Sequence, residues 1–367
     1  MGVGNLDVPV VWSGSALQHH PRAEVWLGVE LTGTEVKERA TVLREAVAAA
    51  GARLVDATPH DDDVLRSVHD EGLLDFLQHG YDEWVGQGFL DEPGQDRIVP
   101  YVFPTAGLLQ GMPLRRPHGI HGRAGRYAYD TMTLVGPGTW EGARGAVDVA
   151  LTAVDVVTAG EPLAYGICRP PGHHVTRDAY GGSCYLNNAG VAAQALRDAG
   201  HARVAVIDID AHHGNGTQMM FYDRADVFYG SLHIDPGAGW FPHYLGFADE
   251  QGRGAGEGTT CNVPLAPATA DDEWLSALDV ILARVAAFDP GAVVVSLGVD
   301  AAADDPESPL RVTHDGYHRA GALIAGLGVP MVAVQEGGYH LPTLGSLVVA
   351  TLEGLATTPL AAGHRDP

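Results

Sequence analysis

The chain has 367 residues, 46% hydrophobic and 19% charged, which suits one large α/β domain or two small ones with a substantial core. Its 22 Lys and Arg against 46 Asp and Glu give a net charge of −24, and a surface this acidic repels phosphate backbones, which argues against a nucleic-acid partner. Cys168, Cys184 and Cys261 include no CxxC pair, which argues against a disulfide framework and against a thiolate zinc site.

The amino-terminal sequence MGVGNLDVPVVW lacks a basic stretch followed by an apolar one, so no signal peptide is predicted. No run of 18 or more apolar residues occurs, so neither a membrane span nor a membrane partner is expected. The default expectation is therefore a soluble, cytoplasmic protein.

Strands and helices are predicted to alternate in the first half of the chain. A helix over 34–51 is predicted to be capped at Thr34 and to end at Gly51. The other predicted elements are strands over 10–13 and 53–58 and helices over 64–80 and 139–160. The segment at about 86–136 is rich in Gly, Pro and Arg and weakly periodic, which indicates a long functional loop or subdomain inserted into the fold.

The second half contains four apolar runs that do not alternate with polar residues, as expected of parallel strands covered on both faces. These runs span 164–168, 203–210, 292–300 and 330–339, and helices are predicted over 187–200, 270–288 and 317–328. Right-handed crossovers place helices on both sides of one mostly parallel sheet. With neither a repeat nor an interdomain linker, residues 1–367 are predicted to form a single α/β domain.

Polar residues suited to catalysis follow each of these four apolar runs. They are His173 and His174, the stretch 208–213 (DIDAHH), Asp300, and the stretch 336–339 (EGGY). Because ligands of open α/β sheets bind outside the carboxyl ends of the strands, these side chains are expected to share one site.

A metal site is predicted from Asp210, His212 and Asp300. Alternate residues leaving a strand point the same way, so Asp210 and His212 can reach one ion, which Asp300 completes from another strand. An isolated DxH is more often a solvated turn, but the second aspartate at a separate strand end favours a metal. This ligand set leaves a position open for water and admits Zn²⁺, Fe²⁺, Co²⁺ or Mn²⁺.

The adjacent His173 and His174 suit a pair of bases beside such a metal, one of them held by a carboxylate such as Asp208. Tyr339, after two glycines, is placed to donate its hydroxyl to a developing oxyanion. The glycines after His213 lack a strand–GxGxxG–helix context and a Walker lysine, so no nucleotide site is predicted.

Taken together and in this order, the motifs resemble those of the histone deacetylase superfamily, whose fold is the arginase–deacetylase fold. The motifs are RPPGHH (169–174), NNAGVAA (187–193), DIDAHHGNGTQ (208–218), SLHID (231–235), SLGVD (296–300) and EGGY (336–339). Within the superfamily, the stretches at 179–196, 241–260 and 293–308 are most similar to bacterial acetylpolyamine amidohydrolases. In that group the long insertion helps to build a dimer, so the resemblance implies a homodimer.

The resemblance implies a zinc ion on Asp210, His212 and Asp300, with Fe²⁺ or Co²⁺ as alternatives. It makes His174 the general base and then acid, His173 an electrostatic histidine paired with Asp208, and Tyr339 the oxyanion donor. It places the neutral Asn215, where some subgroups carry an aspartate, behind the second histidine. It also implies structural K⁺, at a first site of Asp208, Asp210, His212, Ser231 and Leu232 and a second of Phe221, Arg224 and Val227.

The expected substrate-binding residues depart from the family pattern in three ways. In the segment Gly182-Ser183-Cys184, Ser183 replaces the usual aromatic wall of the acyl tunnel opposite Phe241, which predicts a wider tunnel. Of the acidic residues that bind polyamines at the mouth, Glu24 is matched, but His121 and Met132 stand at two others. Glu307, in the loop after Asp300, matches a glutamate that selects cationic substrates in one eukaryotic subgroup, although a solvated loop residue is equally expected.

Three substrate classes therefore remain open: a small N-acetylated amine such as an acetylpolyamine, a bulkier N-acyl compound, and protein acetyl-lysine. The long insertion argues against the last, because it would hinder a folded partner. A binding module without catalysis and an arginase-type reaction are disfavoured, the first by the retained catalytic side chains and the second by too few aspartates for two manganese ions.

Overall fold

The computed structural model describes residues 6–92 and 94–357. Within them, eight strands form one parallel sheet in the order β4-β1-β5-β10-β9-β6-β7-β8, and β2 and β3 form an antiparallel hairpin. The strands are β1 (Pro9–Trp12), β2 (Glu24–Trp26), β3 (Val29–Leu31), β4 (Arg53–Asp56), β5 (Leu163–Gly166), β6 (Val204–Asp208), β7 (Val227–Ile234), β8 (Thr260–Leu265), β9 (Ala292–Leu297) and β10 (Met331–Gln335).

Helices cover both faces of the large sheet, which confirms the predicted single-domain α/β fold. They are α1 (Glu38–Ala49), α2 (Asp63–Val68), α3 (Glu71–Gly86), α4 (Ala106–Leu109), α5 (Ile120–Tyr127), α6 (Thr139–Thr158), α7 (Asn188–Asp198), α8 (Asn215–Phe221), α9 (Asp271–Phe288), α10 (His314–Ala325) and α11 (Leu341–Leu355). None of those helices is both long and apolar enough to cross a membrane.

The non-alternating strand sequences are explained by two separate cores. Successive residues of β6 point to opposite faces, so that Ala205 and Ile207 belong to one hydrophobic cluster and Val204 and Val206 to the other. All four are fully buried. A strand covered on both faces needs apolar residues at every position, which is the pattern found in the sequence.

Three predicted helices had wrong boundaries, and one of them, predicted over 317–328, is α10 (His314–Ala325). The helix predicted from Thr34 begins at Glu38, and Thr34 does not cap it. The helix predicted over 64–80 is broken at His69, which is extended, and restarts with Asp70 as cap of α3. His69 accepts a hydrogen bond from the Asn187 amide (3.0 Å), and its other ring nitrogen lies 3.1 Å from the Thr176 carbonyl, so a tertiary contact sets the break.

The predicted insertion is folded in the described residues. It contains α4 and α5, and Ile98, Ile120 and Ala124 are buried in a third hydrophobic cluster shared with α3. The hairpin β2–β3, the strands β7 and β8, and helix α11 were not predicted. Helix α11 carries Pro342 in its first turn and Gly345 inside it, which weakens its helical signal.

Candidate active site

The sheet topology brings the predicted catalytic segments together. Strands β5, β10, β9 and β6 are consecutive neighbours, and all run parallel. The loops after them therefore leave the same edge of the sheet, as expected for a ligand site of an open α/β fold.

Asp210, His212 and Asp300 converge at this edge. Their potential ligand atoms all lie within 4.8 Å of one another. Nδ1 of His212 is 3.0 Å from Asp300 Oδ2 and 3.4 Å from Asp210 Oδ1. Two carboxylates and one imidazole nitrogen around one point fit a divalent metal with an open coordination position.

Backbone amides orient the two carboxylates of this triad. The Ala211 amide donates to Asp300 Oδ1 (2.7 Å), and the Gly337 amide donates to Asp210 Oδ2 (2.7 Å). A Cβ atom on Gly298 would lie 2.0 Å from Asp210 Oδ2, so the site requires glycine there. These hydrogen bonds fix the orientation of the two carboxylates and of their remaining lone pairs.

A backbone carbonyl sets the orientation of the His212 ring. Its Nε2 lies 3.1 Å from the Glu307 carbonyl oxygen, which can only accept, so Nε2 carries the hydrogen. The Nδ1 lone pair is then free to bind a metal. Fixing the distal ring nitrogen in this way is typical of metal-binding histidines.

A second cluster within the described residues, His173, Cys184 and Glu336, also has the spacing of a metal site. Burial raises the pKa of the Cys184 thiol well above its usual value, so it stays protonated and is a poor ligand. His173 is already engaged with Asp208. The Asp210–His212–Asp300 triad is therefore the better metal site.

The two adjacent histidines have opposite electrostatic environments. His173 Nδ1 lies 3.0 Å from Asp208 Oδ2, whereas His174 Nδ1 lies 2.8 Å from the Asn215 amide oxygen. Burial lowers the pKa of His173, but Asp210, Asp208 and Glu336 outweigh it and raise that pKa to about 10. Burial, and then the neighbouring His173 charge, lower the pKa of His174 well below its usual value. The first ring is thus cationic and the second neutral.

The neutral partner fixes the tautomer of His174. The Asn215 amide nitrogen lies 3.4 Å from the His174 carbonyl, so its oxygen faces the ring and Nδ1 is the donor. Nε2 of His174 is left with a free lone pair, as a general base requires.

Tyr339 is held by groups that the sequence did not reveal. The buried guanidinium of Arg39 lies 4.8 Å from the centre of its ring. Nε of Arg39 donates to the Gly338 carbonyl (2.7 Å), and its remaining nitrogens donate to the Glu336 carbonyl and to Glu35. Burial raises the pKa of Tyr339 well above its usual value, so its hydroxyl keeps the hydrogen that it can donate.

Glu336 holds the segment that carries the two histidines. Its Oε2 accepts from the amides of Gly172 (2.6 Å) and His173 (3.1 Å). Burial raises the pKa of this carboxyl to about 7. The EGGY motif alone does not predict this role, because the contact joins the loop after β10 to the loop after β5, more than 160 residues apart along the chain.

An open cleft of about 830 Å³ leads from His212 to the surface. Six Phe, Tyr and Trp rings line it, and so do three carboxyl groups: Glu24, Asp130 and Glu307. Burial, and then the nearby Glu307 charge, raise the pKa of Glu24 to about 7. Asp130 accepts hydrogen bonds from the amides of Gly182 (2.6 Å) and Thr133 (2.9 Å), which makes it a structural residue of the cleft wall.

Not every predicted substrate residue lines this cleft. Phe241 and Met132 do, and a Cβ atom on Gly182 would contact both His174 and Phe241, so Gly182 lies beside these two rings. Ser183 and His121 are not among the lining residues. The ring of His121 packs instead against Phe89 and Tyr101.

The aromatic ring beside Phe241 is that of Tyr129, stacked at 6.2 Å. Tyr129 also packs onto Gly181 and donates its hydroxyl to the His174 carbonyl (3.0 Å). A wider tunnel is predicted from Ser183 alone. Tyr129, more than fifty residues earlier in the chain, supplies an aromatic ring beside Phe241. No sequence signal marked it.

The residues expected to bind K⁺ lie on β6 and β7 and in the segment between these strands. Asp208 pairs with Ser231 in the sheet register, and the Tyr229 hydroxyl donates to Asp208 Oδ2 (3.0 Å). In the second group, the Arg224 amide donates to the Phe221 carbonyl (2.9 Å), just before Val227 opens β7.

A parallel α/β sheet with a candidate two-aspartate, one-histidine metal centre at its carboxyl edge fits the class of metal-dependent hydrolases. The family model described as "Histone deacetylase domain" matches residues 33–355. The chain belongs to the histone deacetylase family.

Individual relatives agree with this assignment. The chain is 41% identical over 348 residues to the acetylpolyamine amidohydrolase of Mycoplana ramosa, covering 95% of this chain and 99% of that one. It is 42% identical over 290 residues to acetylpolyamine amidohydrolase 1 of Pseudomonas aeruginosa, covering 79% and 82%. The crystal structure of acetylpolyamine aminohydrolase from Burkholderia pseudomallei superposes with a TM-score of 0.89 at 38% identity, covering 96% and 99%.

Proposed function

We propose that this protein is a metal-dependent amidohydrolase that removes the acetyl group from small N-acetylated amines, with acetylpolyamines as the leading substrates. The observation that carries the proposal is that His212 belongs both to the metal triad and to the lining of a cleft whose outer wall holds two carboxylates. The names of its relatives point to the same substrates.

Asp210, His212 and Asp300 would hold the metal. When bound, a divalent ion polarises the acyl oxygen and acidifies water. Zinc is the proposed ion, with Fe²⁺ or Co²⁺ as alternatives, because an imidazole and two carboxylates suit all three.

The protein's own groups supply the proton transfers. Neutral His174, with its free Nε2, takes a proton during attack and returns it to the leaving amine. The Tyr339 hydroxyl donates to the oxygen that becomes negatively charged. Cationic His173, which Asp208 fixes, adds positive charge near that oxygen and keeps its own proton throughout.

The outer part of the cleft is suited to an ammonium group. Glu24 and Glu307 both line it, and the Glu307 charge is close enough to raise the pKa of Glu24. A cation between them relieves this repulsion, and a partly desolvated carboxylate binds an ammonium more strongly than an exposed one does. The long, flexible chain of an acetylpolyamine places its amines at a distance from the acetyl group.

A bulkier N-acyl compound is the second candidate. The volume of the cleft and its aromatic walls, including Trp26, Trp240 and Tyr244, leave room for a larger amine. Both candidates use the same chemistry, so the cleft alone distinguishes them.

A structural K⁺ is proposed at Asp208, Asp210, His212, Ser231 and Leu232, and a second at Phe221, Arg224 and Val227. Hard oxygen donors support the first position, where Asp208 and Ser231 are register partners on the neighbouring strands β6 and β7. The cytoplasm is the proposed compartment, since all three cysteines are free and buried, as in proteins of reducing compartments.

We also propose a homodimer. Large apolar side chains are exposed around the cleft, notably Trp26 at 52%, Leu27 at 79% and Tyr244 at 87%. The insertion adds Tyr101, Leu108 and Met112, which are exposed as well. Exposed apolar residues in this number mark a contact surface rather than a solvated one.

The test is a comparison of kcat/KM for acetylputrescine, acetylspermidine, an acetyl-lysine peptide and a bulky N-acyl amine, with zinc-loaded protein. A lead of more than about tenfold (~1.4 kcal/mol) for the acetylpolyamines supports the proposal. A lead for the bulky amide makes the second candidate correct. Loss of turnover on chelation and recovery with Zn²⁺ are expected in either case.

A further inference from the structure

Asp305 occupies a position between two functional segments of the site. It is only 8% exposed, and its carboxylate accepts three backbone hydrogen bonds. Oδ2 accepts from the amides of Tyr339 (2.7 Å) and His340 (3.1 Å), and Oδ1 accepts from the amide of Glu307 (3.0 Å). One side chain thus ties the loop after β9 to the loop after β10.

Both ends of this connection carry a group used in the reaction. The Tyr339 peptide holds the oxyanion donor, and it follows two glycines, of which Gly338 has φ +125°. Glycines leave the backbone free, so the position of Tyr339 has to be fixed by neighbouring groups. At the other end, the Glu307 carbonyl orients the His212 ring.

Arg39 secures the same loop from the opposite side. It donates to the carbonyls of Glu336 and Gly338, whereas Asp305 accepts from the amides of Tyr339 and His340. Arg39 therefore fixes the loop against α1, and Asp305 fixes the Tyr339 and His340 amides against the turn that contacts His212.

We propose that Asp305 is a positioning residue, whose carboxylate sets the peptide of Tyr339 relative to the turn that orients His212. This inference rests on the proposed function. It predicts that removal of the carboxylate misplaces the Tyr339 hydroxyl and lowers kcat more than it changes KM, because the donor acts mainly on the charge that develops during the reaction.

The neighbouring Asp304 is a matched control. Its side chain is 45% exposed and contacts the side chains of His340 (3.1 Å) and Thr343 (3.3 Å), but not the Tyr339 backbone. Asp305→Ser is the test variant, since a serine hydroxyl can still accept from the Glu307 amide in a short turn but is too short to reach Tyr339. Asp305→Asn, which keeps the shape and one acceptor oxygen, is measured in parallel in case the serine variant does not fold.

The experiment has a kinetic arm and an exchange arm. With acetylputrescine, Asp305→Ser is expected to lower kcat at least tenfold with KM within threefold, and Asp304→Ser to stay within twofold in both. In a Tyr339→Phe background the same Asp305 change is expected to lower kcat less than twofold, since the hydroxyl it positions is already gone. Equal loss in both backgrounds would overturn the proposal.

Amide hydrogen exchange of the peptide spanning 336–341 supplies a measurement that does not depend on turnover. Exchange at Tyr339 and His340 is expected to rise at least tenfold in Asp305→Ser and to be unchanged in Asp304→Ser. Unchanged exchange in the Asp305 variant contradicts the positioning role. If wild-type protein leaves the whole substrate panel intact, the proposed function fails, while exchange still decides the role of Asp305.

Discussion

The base and the mouth of the cleft differ in burial and in the contacts that hold their side chains. At the base, Asp210, Asp300, His173 and His174 are nearly fully buried, and their hydrogen bonds are made to other parts of the sheet edge. At the mouth, Trp26, Leu27 and Tyr244 are half-exposed or more, and the hairpin that carries the first two is a separate two-stranded sheet. Under the proposed function, we expect the base to determine the chemistry and the mouth to determine which amine reaches it.

The largest expected effect is at the base. Tyr339→Phe removes one oxyanion donor while keeping the ring under Arg39, and kcat for acetylputrescine should fall about 10²- to 10³-fold. KM should remain within threefold, and zinc content by metal analysis should be unchanged. A large rise in KM with little change in kcat would instead assign the hydroxyl to substrate binding.

A smaller effect is expected from the charged residues of the mouth. Glu24→Gln and Glu307→Leu should each lower kcat/KM for acetylputrescine about tenfold (~1.4 kcal/mol), through loss of attraction to the distal ammonium. An N-acetylated amine of equal length that ends in a neutral hydroxyl serves as the matched substrate. An equal loss on both substrates would show that these residues do not select charge.

The mouth should also be the source of a pH dependence in KM. Because the pKa of Glu24 is raised to about 7, its carboxyl is mostly neutral at pH 6 and mostly ionised at pH 8. A primary ammonium stays charged over this range. KM for acetylputrescine should therefore fall up to about tenfold from pH 6 to pH 8, and the Glu24→Gln variant should show no such fall.

The smallest effect on activity is expected from a change in the exposed apolar surface around the cleft, which we propose to form the dimer contact. Leu27→Glu should shift the protein from dimer to monomer in sedimentation velocity, because burying an unpaired carboxylate is unfavourable. Val280→Glu, on the exposed side of α9, is the matched control and should leave the mass unchanged. A wild-type monomer at micromolar concentration would rule out the proposed dimer.

Motif residues close in sequence were predictable, because local geometry fixes them. The spacing of Asp210 and His212 at the end of one strand, and the run of buried apolar residues before them, indicated both the parallel sheet and the ligand pair. The pairing of His173 with Asp208 was also expected, and the structure gives it a distance of 3.0 Å. The same kind of argument cannot place Ser183, which lies in a loop, or His121, which lies on α5, because local spacing does not show how these segments pack against the cleft.

The sequence by itself determined the fold class, the family and the identity of the side chains that gather at the sheet edge, since strand patterns and short motifs record local conformation. Only the tertiary structure decided which distant groups hold them: Arg39 from α1 against Tyr339, Tyr129 beside Phe241, and Asp305 between two loops. These contacts join segments far apart along the chain. Their polar atoms are satisfied only when the sheet is assembled, so no local pattern reveals them.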